Sequence, residues 1–150
     1  MIWKPNVTVA AVVERDGRFL MVEEERDGSI VYNQPAGHLD EGEGLGEAVV
    51  RETLEETAWH FQPHAIIGIY RWTNTASAIT YLRVCFAGSV DGHEPQRRLD
   101  TGIRRALWMT HTELRVLSAR LRSPMVLHCI DDYLAGRRYP LSLLTELDAG

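Results

Sequence analysis

Three glutamates, Glu52, Glu55 and Glu56, stand at i, i+3 and i+4 within residues 45–58, a stretch without proline and without glycine after Gly46. Ala, Val, Leu, Glu, Thr and Arg fill most of its positions, which predicts a helix. At about 100° per residue the three carboxylates fall within one arc of about 100°. Like charges at i,i+4 oppose the helix by about 0.2–0.5 kcal/mol per pair, and a divalent cation removes that cost. Mg²⁺ takes hard oxygen ligands, keeps several waters and is commonly shared between carboxylates and substrate phosphates. The spacing suits a metal shared between the helix and the phosphates of a substrate. The competing reading is a solvated acidic face of a surface helix. Val50 and Leu54 lie on roughly the opposite side and are expected to be the face that is buried.

The flanking residues decide between these readings. Gly37 is followed after five residues by Glu43, after seven more by Arg51-Glu52, and after two more by Glu55-Glu56. With average residue usage, six fixed positions match by chance on the order of 10⁻⁷ per start. The pattern resembles the Nudix box of the Nudix hydrolases. The resemblance implies a loop–helix–loop that binds divalent metal and hydrolyses nucleoside diphosphates linked to another moiety. Carried onto this chain, it makes Glu52, Glu55 and Glu56 ligands of Mg²⁺, with Mn²⁺ as a substitute, and has Arg51 and Glu43 orient the helix by a salt bridge. One position departs: Ala58 precedes Trp59 where the family usually has glycine. Glycine serves a left-handed helix end, so a slightly different helix exit and a small strain are expected.

The resemblance extends over nearly the whole chain to a phosphatase subfamily, through KPNVTVA at residues 4–10, NQPAGHL at 33–39, LRSP at 121–124 and RYPL at 138–141. It implies release of orthophosphate from nucleoside tri- and diphosphates, and action on thiamine diphosphate and its pyrimidine precursor.

Elements must position these residues. Residues 6–15 are rich in Val and Ala, Asp16-Gly17 interrupts and residues 19–22 resume, which predicts a β-hairpin. Asp27-Gly28 makes a second turn, and a short strand at 30–34 ends at Pro35. Gly42, Gly44 and Gly46 loosen the entry to the helix. Strands at 66–72 and 79–86 form an antiparallel pair across a polar turn, and a polar loop at 88–102 leads to a strand at 103–109. Thr110 and Glu113 form a capping box for a helix at 111–121. Ser123-Pro124 opens another helix, through Tyr133 to about Gly136. The class is α+β with mixed pairing, and the resemblance implies an α/β/α sandwich around a mixed β-sheet.

A chain of 150 residues, 45% hydrophobic and 25% charged, is expected to form one domain over 1–150. Its net charge of −5 argues against a nucleic-acid-binding surface. Cys85 and Cys129 sit in apolar runs and are expected to be buried thiols of a reducing compartment. No signal segment precedes the first strand and no run reaches about 18 apolar residues, so a cytoplasmic protein without membrane contact is expected, as a monomer or homodimer.

A base must take the proton of the attacking water, and Glu56 ranks first and Asp100 second, ahead of Glu94 and His93. Gln34, Gly37 and His38 at the box entry are candidates to touch substrate. Trp72, Tyr32 or Tyr70 could stack on a ring, worth roughly 1–3 kcal/mol. Among Arg71, Arg122 and Arg138, the last is the preferred fork onto a terminal phosphate. No His or Cys spacing suggests zinc. Two other functions fit less well. A sensor that binds nucleotide without cleaving it has no need of three intact glutamates, and an RNA 5′-end pyrophosphohydrolase is disfavoured by the acidic charge.

Overall fold

The computed structural model describes residues 1–148. Its elements are β1 Asn6–Val12, β2 Glu14–Arg15, β3 Arg18–Arg26, β4 Ser29–Asn33, β5 Ala36–His38, α1 Leu45–Thr57, β6 His60–Asn74, β7 Ile79–Asp91, β8 Ile103–Thr110, α2 His111–Val116 and α3 Met125–Leu134. Two sheets form. In the first the order is β5-β1-β7-β6, with β1 parallel to β7 and the other pairs antiparallel. In the second, β3 pairs antiparallel with β2, β4 and β8.

The strand β1 explains the layering. From Val9 through Val13, just past its end, the chain is apolar without alternation, because both faces are covered by helices there. Val9, Ala11 and Val13 pack with Ala48 and Val49 of α1, while Ala10 and Val12 pack with Val126, Cys129 and Ile130 of α3 and Leu114 of α2. The result is a mixed sheet layer between α1 on one side and α2 and α3 on the other. Cys85 and Cys129 are both buried free thiols. No helix among the described residues is long and apolar enough to cross a membrane.

Several expectations are corrected. The first hairpin is limited to β2 and β3 around Asp16-Gly17, whose φ values of 52° and 76° suit the tight primed turns of hairpins. The strand β1 leaves for the other sheet, where its doubly apolar character is used. Residues 88–91, expected in a loop, continue β7, paired with His60 to Pro63. The capping box at Thr110 is present, with the Thr110 Oγ1 accepting from the Glu113 N–H at 3.1 Å. A cap marks only where a helix starts, and α2 ends at Val116, followed by a single 3₁₀ turn at Ser118–Arg120.

The helix α1 carries the most consequential correction. Its buried residues are Ala48, Val49, Glu52, Thr53, Glu56 and Thr57, whereas Val50 and Leu54 are only partly covered. Two of the three glutamates therefore point into the protein. The helix exit also differs from expectation: Ala58 itself takes the left-handed conformation at φ 63°, with its N–H on the Leu54 carbonyl. The usual exit is kept, and the strain of a Cβ in that region comes with it.

Candidate active site

The buried glutamate face of α1 meets β5. A Cβ placed on Gly37 would collide with the carboxylate of Glu52, so position 37 is glycine because a carboxylate occupies the space where a side chain would begin. Beside it, Glu56 accepts the Ala36 N–H on Oε1 at 2.9 Å. A sheet edge that would otherwise leave an N–H unpaired thus holds one acid of the helix.

Arg51 organises the other side. Its guanidinium forks onto Glu43, Nε to Oε2 at 2.7 Å and Nη2 to Oε1 at 3.0 Å, as the box resemblance implied. It also donates to Glu52 Oε1 at 2.8 Å, to Glu55 Oε2 at 3.3 Å and to the His38 carbonyl at 3.0 Å. One cation therefore fixes the rotamers of two box acids and ties the helix to the loop before it.

Asp100 arrives from the loop between β7 and β8. Its backbone N–H donates to the Glu55 carbonyl at 3.0 Å, near the C-terminal end of α1 where such carbonyls lack helical partners. This brings one carboxylate oxygen each from Glu52, Glu55 and Asp100 to within 4.8 Å of one another. Hard oxygens converging in this way fit a divalent cation of the Mg²⁺ or Mn²⁺ kind and would hold it. Glu56, expected as the third ligand, lies outside this trio with its Oε1 on the Ala36 N–H, and Asp100 stands in its place because its loop is tied to the end of α1. His93 and Glu94, the other loop candidates, are engaged at the helix exit: His93 stacks on Trp59 at 4.4 Å and Glu94 bonds to His60.

The electrostatics follow from crowding. Burial raises the pKa of Glu52, against the opposing pull of Arg51. Burial raises that of Glu56 much further, the Ala36 N–H opposes, and the charges of Glu24, Glu52 and Asp100 push it up again. Without added positive charge the centre resists full ionisation, and a cation is the natural complement of such a site.

The remaining candidates divide. His38 is exposed on β5, opposite Thr8 of β1, and its Nε2 lies 3.4 Å from the Asn6 amide nitrogen. Asn6 pairs with Tyr81 and Tyr81 with Trp72, so all of these share one sheet face, where Trp72 and Tyr81 stack at 5.8 Å and 17°. Gln34 is withdrawn from any substrate contact. It is fully buried, its Nε2 donates to the Val126 carbonyl at 2.6 Å, and its Oε1 accepts from Arg83 at 2.9 Å. Arg138 is withdrawn as well. It lies over the Tyr133 ring at 4.0 Å and donates to the carbonyls of Tyr133 and Arg137, in the segment whose Tyr139 pairs with Ile66 on β6. That is the sheet edge opposite β5. Tyr32 and Tyr70 spend their hydroxyls on Glu23 and Asp132.

Sequence reasoning passed over two buried charged groups. Glu24 is 6% exposed and accepts from Arg122 at 2.8 Å, and the acidic run Glu23-Glu24-Glu25 at the end of an apolar strand was its only signal. Arg83 is 3% exposed, bound to Asn33 and Gln34, with its Nε lacking a partner. A lone arginine inside the apolar run of β7 was the clue to it.

Comparison with known proteins places the chain in a family. A family profile described as the NUDIX domain matches residues 3–128. Phosphatase NudJ of Escherichia coli strain K12 is 38% identical over 147 residues, covering 98% of this chain and 95% of NudJ. A NUDIX hydrolase from Nitrosomonas europaea has a TM-score of 0.96 at 51% identity, covering 98% of this chain and 100% of that one. A MutT protein from Methanosarcina mazei Go1, at TM-score 0.70 and 20% identity over 92% of this chain and 100% of its own, shares the fold. The chain belongs to the Nudix hydrolases. It is a hydrolase acting on acid anhydrides in phosphorus-containing compounds.

Proposed function

We propose that this chain is a divalent-metal-dependent phosphatase, using Mg²⁺ with Mn²⁺ as a substitute, that releases orthophosphate from small-molecule nucleoside tri- and diphosphates and from thiamine-type diphosphates. It acts as a single Nudix unit over 1–150, in the cytoplasm, as a monomer or homodimer, without nucleic-acid partners. The observation that carries this reading is the convergence of Glu52, Glu55 and Asp100, with Gly37 leaving room for Glu52. The 38% identity to a protein named a phosphatase supports the orthophosphate product.

A bound divalent ion supplies charge for the phosphoryl oxygens and lowers the pKa of its water. The residues of the chain do the rest. Glu52, Glu55 and Asp100 would hold the ion, and Arg51 keeps the first two in place through its bonds to Glu52 and Glu55. Glu56 takes the proton of the attacking water: it lies beside the trio, held by the Ala36 N–H on Oε1. Asp100 is the second candidate for that step. The face carrying His38, Trp72 and Tyr81 offers a surface on which a pyrimidine or purine ring can lie.

The experiment is a product assay over nucleoside tri- and diphosphates and thiamine diphosphates with Mg²⁺, distinguishing orthophosphate from pyrophosphate. Orthophosphate from the terminal position is expected. Pyrophosphate with nucleoside monophosphate as the only products would replace this reading by a pyrophosphohydrolase.

A further inference from the structure

Building on the proposed phosphatase, we propose that Arg122 grips the phosphoryl oxygens that face away from the carboxylate trio, and that Glu24 is the positioning residue that holds Arg122 there. A polyphosphate carries more charge than one divalent ion neutralises, so a second cationic contact on the substrate is expected.

The commitments of the other arginines narrow the choice. Arg51 is spent on Glu43, Glu52, Glu55 and the His38 carbonyl. Arg83 is buried under Asn33 and Gln34. Arg138 is committed to the end of α3. Arg104 and Arg105 are paired to Glu23.

Arg122 is built differently. Its backbone N–H donates to the Tyr32 carbonyl at 2.8 Å, which pins the segment before α3 to β4. Its side chain is 30% exposed and makes one bond, Nη1 to Glu24 Oε2 at 2.8 Å, so its other N–H groups have no acceptor among the described residues. Glu24 is nearly buried and pairs across the sheet with Ile103 of β8, whose N–H donates to the Asp100 carbonyl at 3.0 Å, so it stands next to the strand that carries Asp100 to the trio. Arg122 is thus a half-open guanidinium leashed to a buried carboxylate beside the β8 end that delivers Asp100.

The plain alternative is that Arg122 only neutralises Glu24, since a buried carboxylate left unpaired is costly. A double substitution, Glu24→Gln with Arg122→Ala, separates the two because it removes both charges together. The probe is methylenediphosphonate, titrated calorimetrically in EDTA so that no metal contributes. Wild type is expected to bind it, and both the double variant and Arg122→Lys to bind at least tenfold more weakly, about 1.4 kcal/mol. In Mg²⁺, Arg122→Lys raises KM by a similar factor with kcat within a few-fold, and Glu24→Gln raises KM in the same sense. Wild-type affinity in the double variant, no binding by wild type in chelator, or a loss confined to kcat overturns the assignment of Arg122. An unchanged KM in Glu24→Gln removes Glu24 from it. Failure of the phosphatase reading shows separately, as absence of metal-dependent orthophosphate release by wild type.

Discussion

The Glu52 carboxylate lies in the space that a side chain at Gly37 would occupy. One residue is there for its charge and the other for having no Cβ. Gly37→Ala must push Glu52 off its place beside Glu55 and Asp100. Its kcat/KM is expected to fall at least tenfold, about 1.4 kcal/mol of transition-state stabilisation. Steady-state kinetics alongside a thermal melt check this, and wild-type kinetics would show that the centre tolerates the shift.

Glu55→Gln and Asp100→Asn each replace one carboxylate of the trio by an amide while keeping side-chain volume. Both variants are expected to fold and to lose at least about 100-fold in kcat. Circular dichroism and single-turnover rates test them together. Activity within a few-fold of wild type in both would end the assignment of this centre.

Chelation bears on the ion directly. EDTA is expected to abolish turnover, and Mg²⁺ or Mn²⁺ to restore it, because the donors are carboxylate oxygens with no sulfur or imidazole among them. Full turnover in excess chelator would refute metal dependence.

Arg138→Lys is expected to leave KM within about twofold, because the guanidinium is used on the Tyr133 ring and on carbonyls at the end of α3. The cost appears in stability instead, about 0.5–1 kcal/mol from the weakened cation–π contact. A tenfold rise in KM would return Arg138 to the substrate.

What the sequence determined by itself was local. Helical periodicity placed Glu52, Glu55 and Glu56 on one face, and the spacing from Gly37 to Glu56 marked the box. The Thr110–Glu113 cap showed where a helix begins, since the cap is made within four residues of chain. Tertiary structure decided which face of α1 is buried. The apolar Val50 and Leu54 lost to Glu52 and Glu56, because β5 offers the acids a backbone N–H and a glycine hollow, while Arg51 supplies charge. It also decided that β1 pairs with β7 rather than β3, a choice between sheets that an apolar strand does not encode in its own residues. Asp100 reaches the centre through a backbone bond to Glu55, and Glu24 meets Arg122 across 98 residues of chain. Gln34 and Arg138 carry strings shared with the resembled subfamily, yet packing turned one into the core and the other onto the end of α3. Local spacing announces which groups can do chemistry, but long-range contacts select which of them face one another, because burial, backbone donors and counter-charges come from segments distant in the chain.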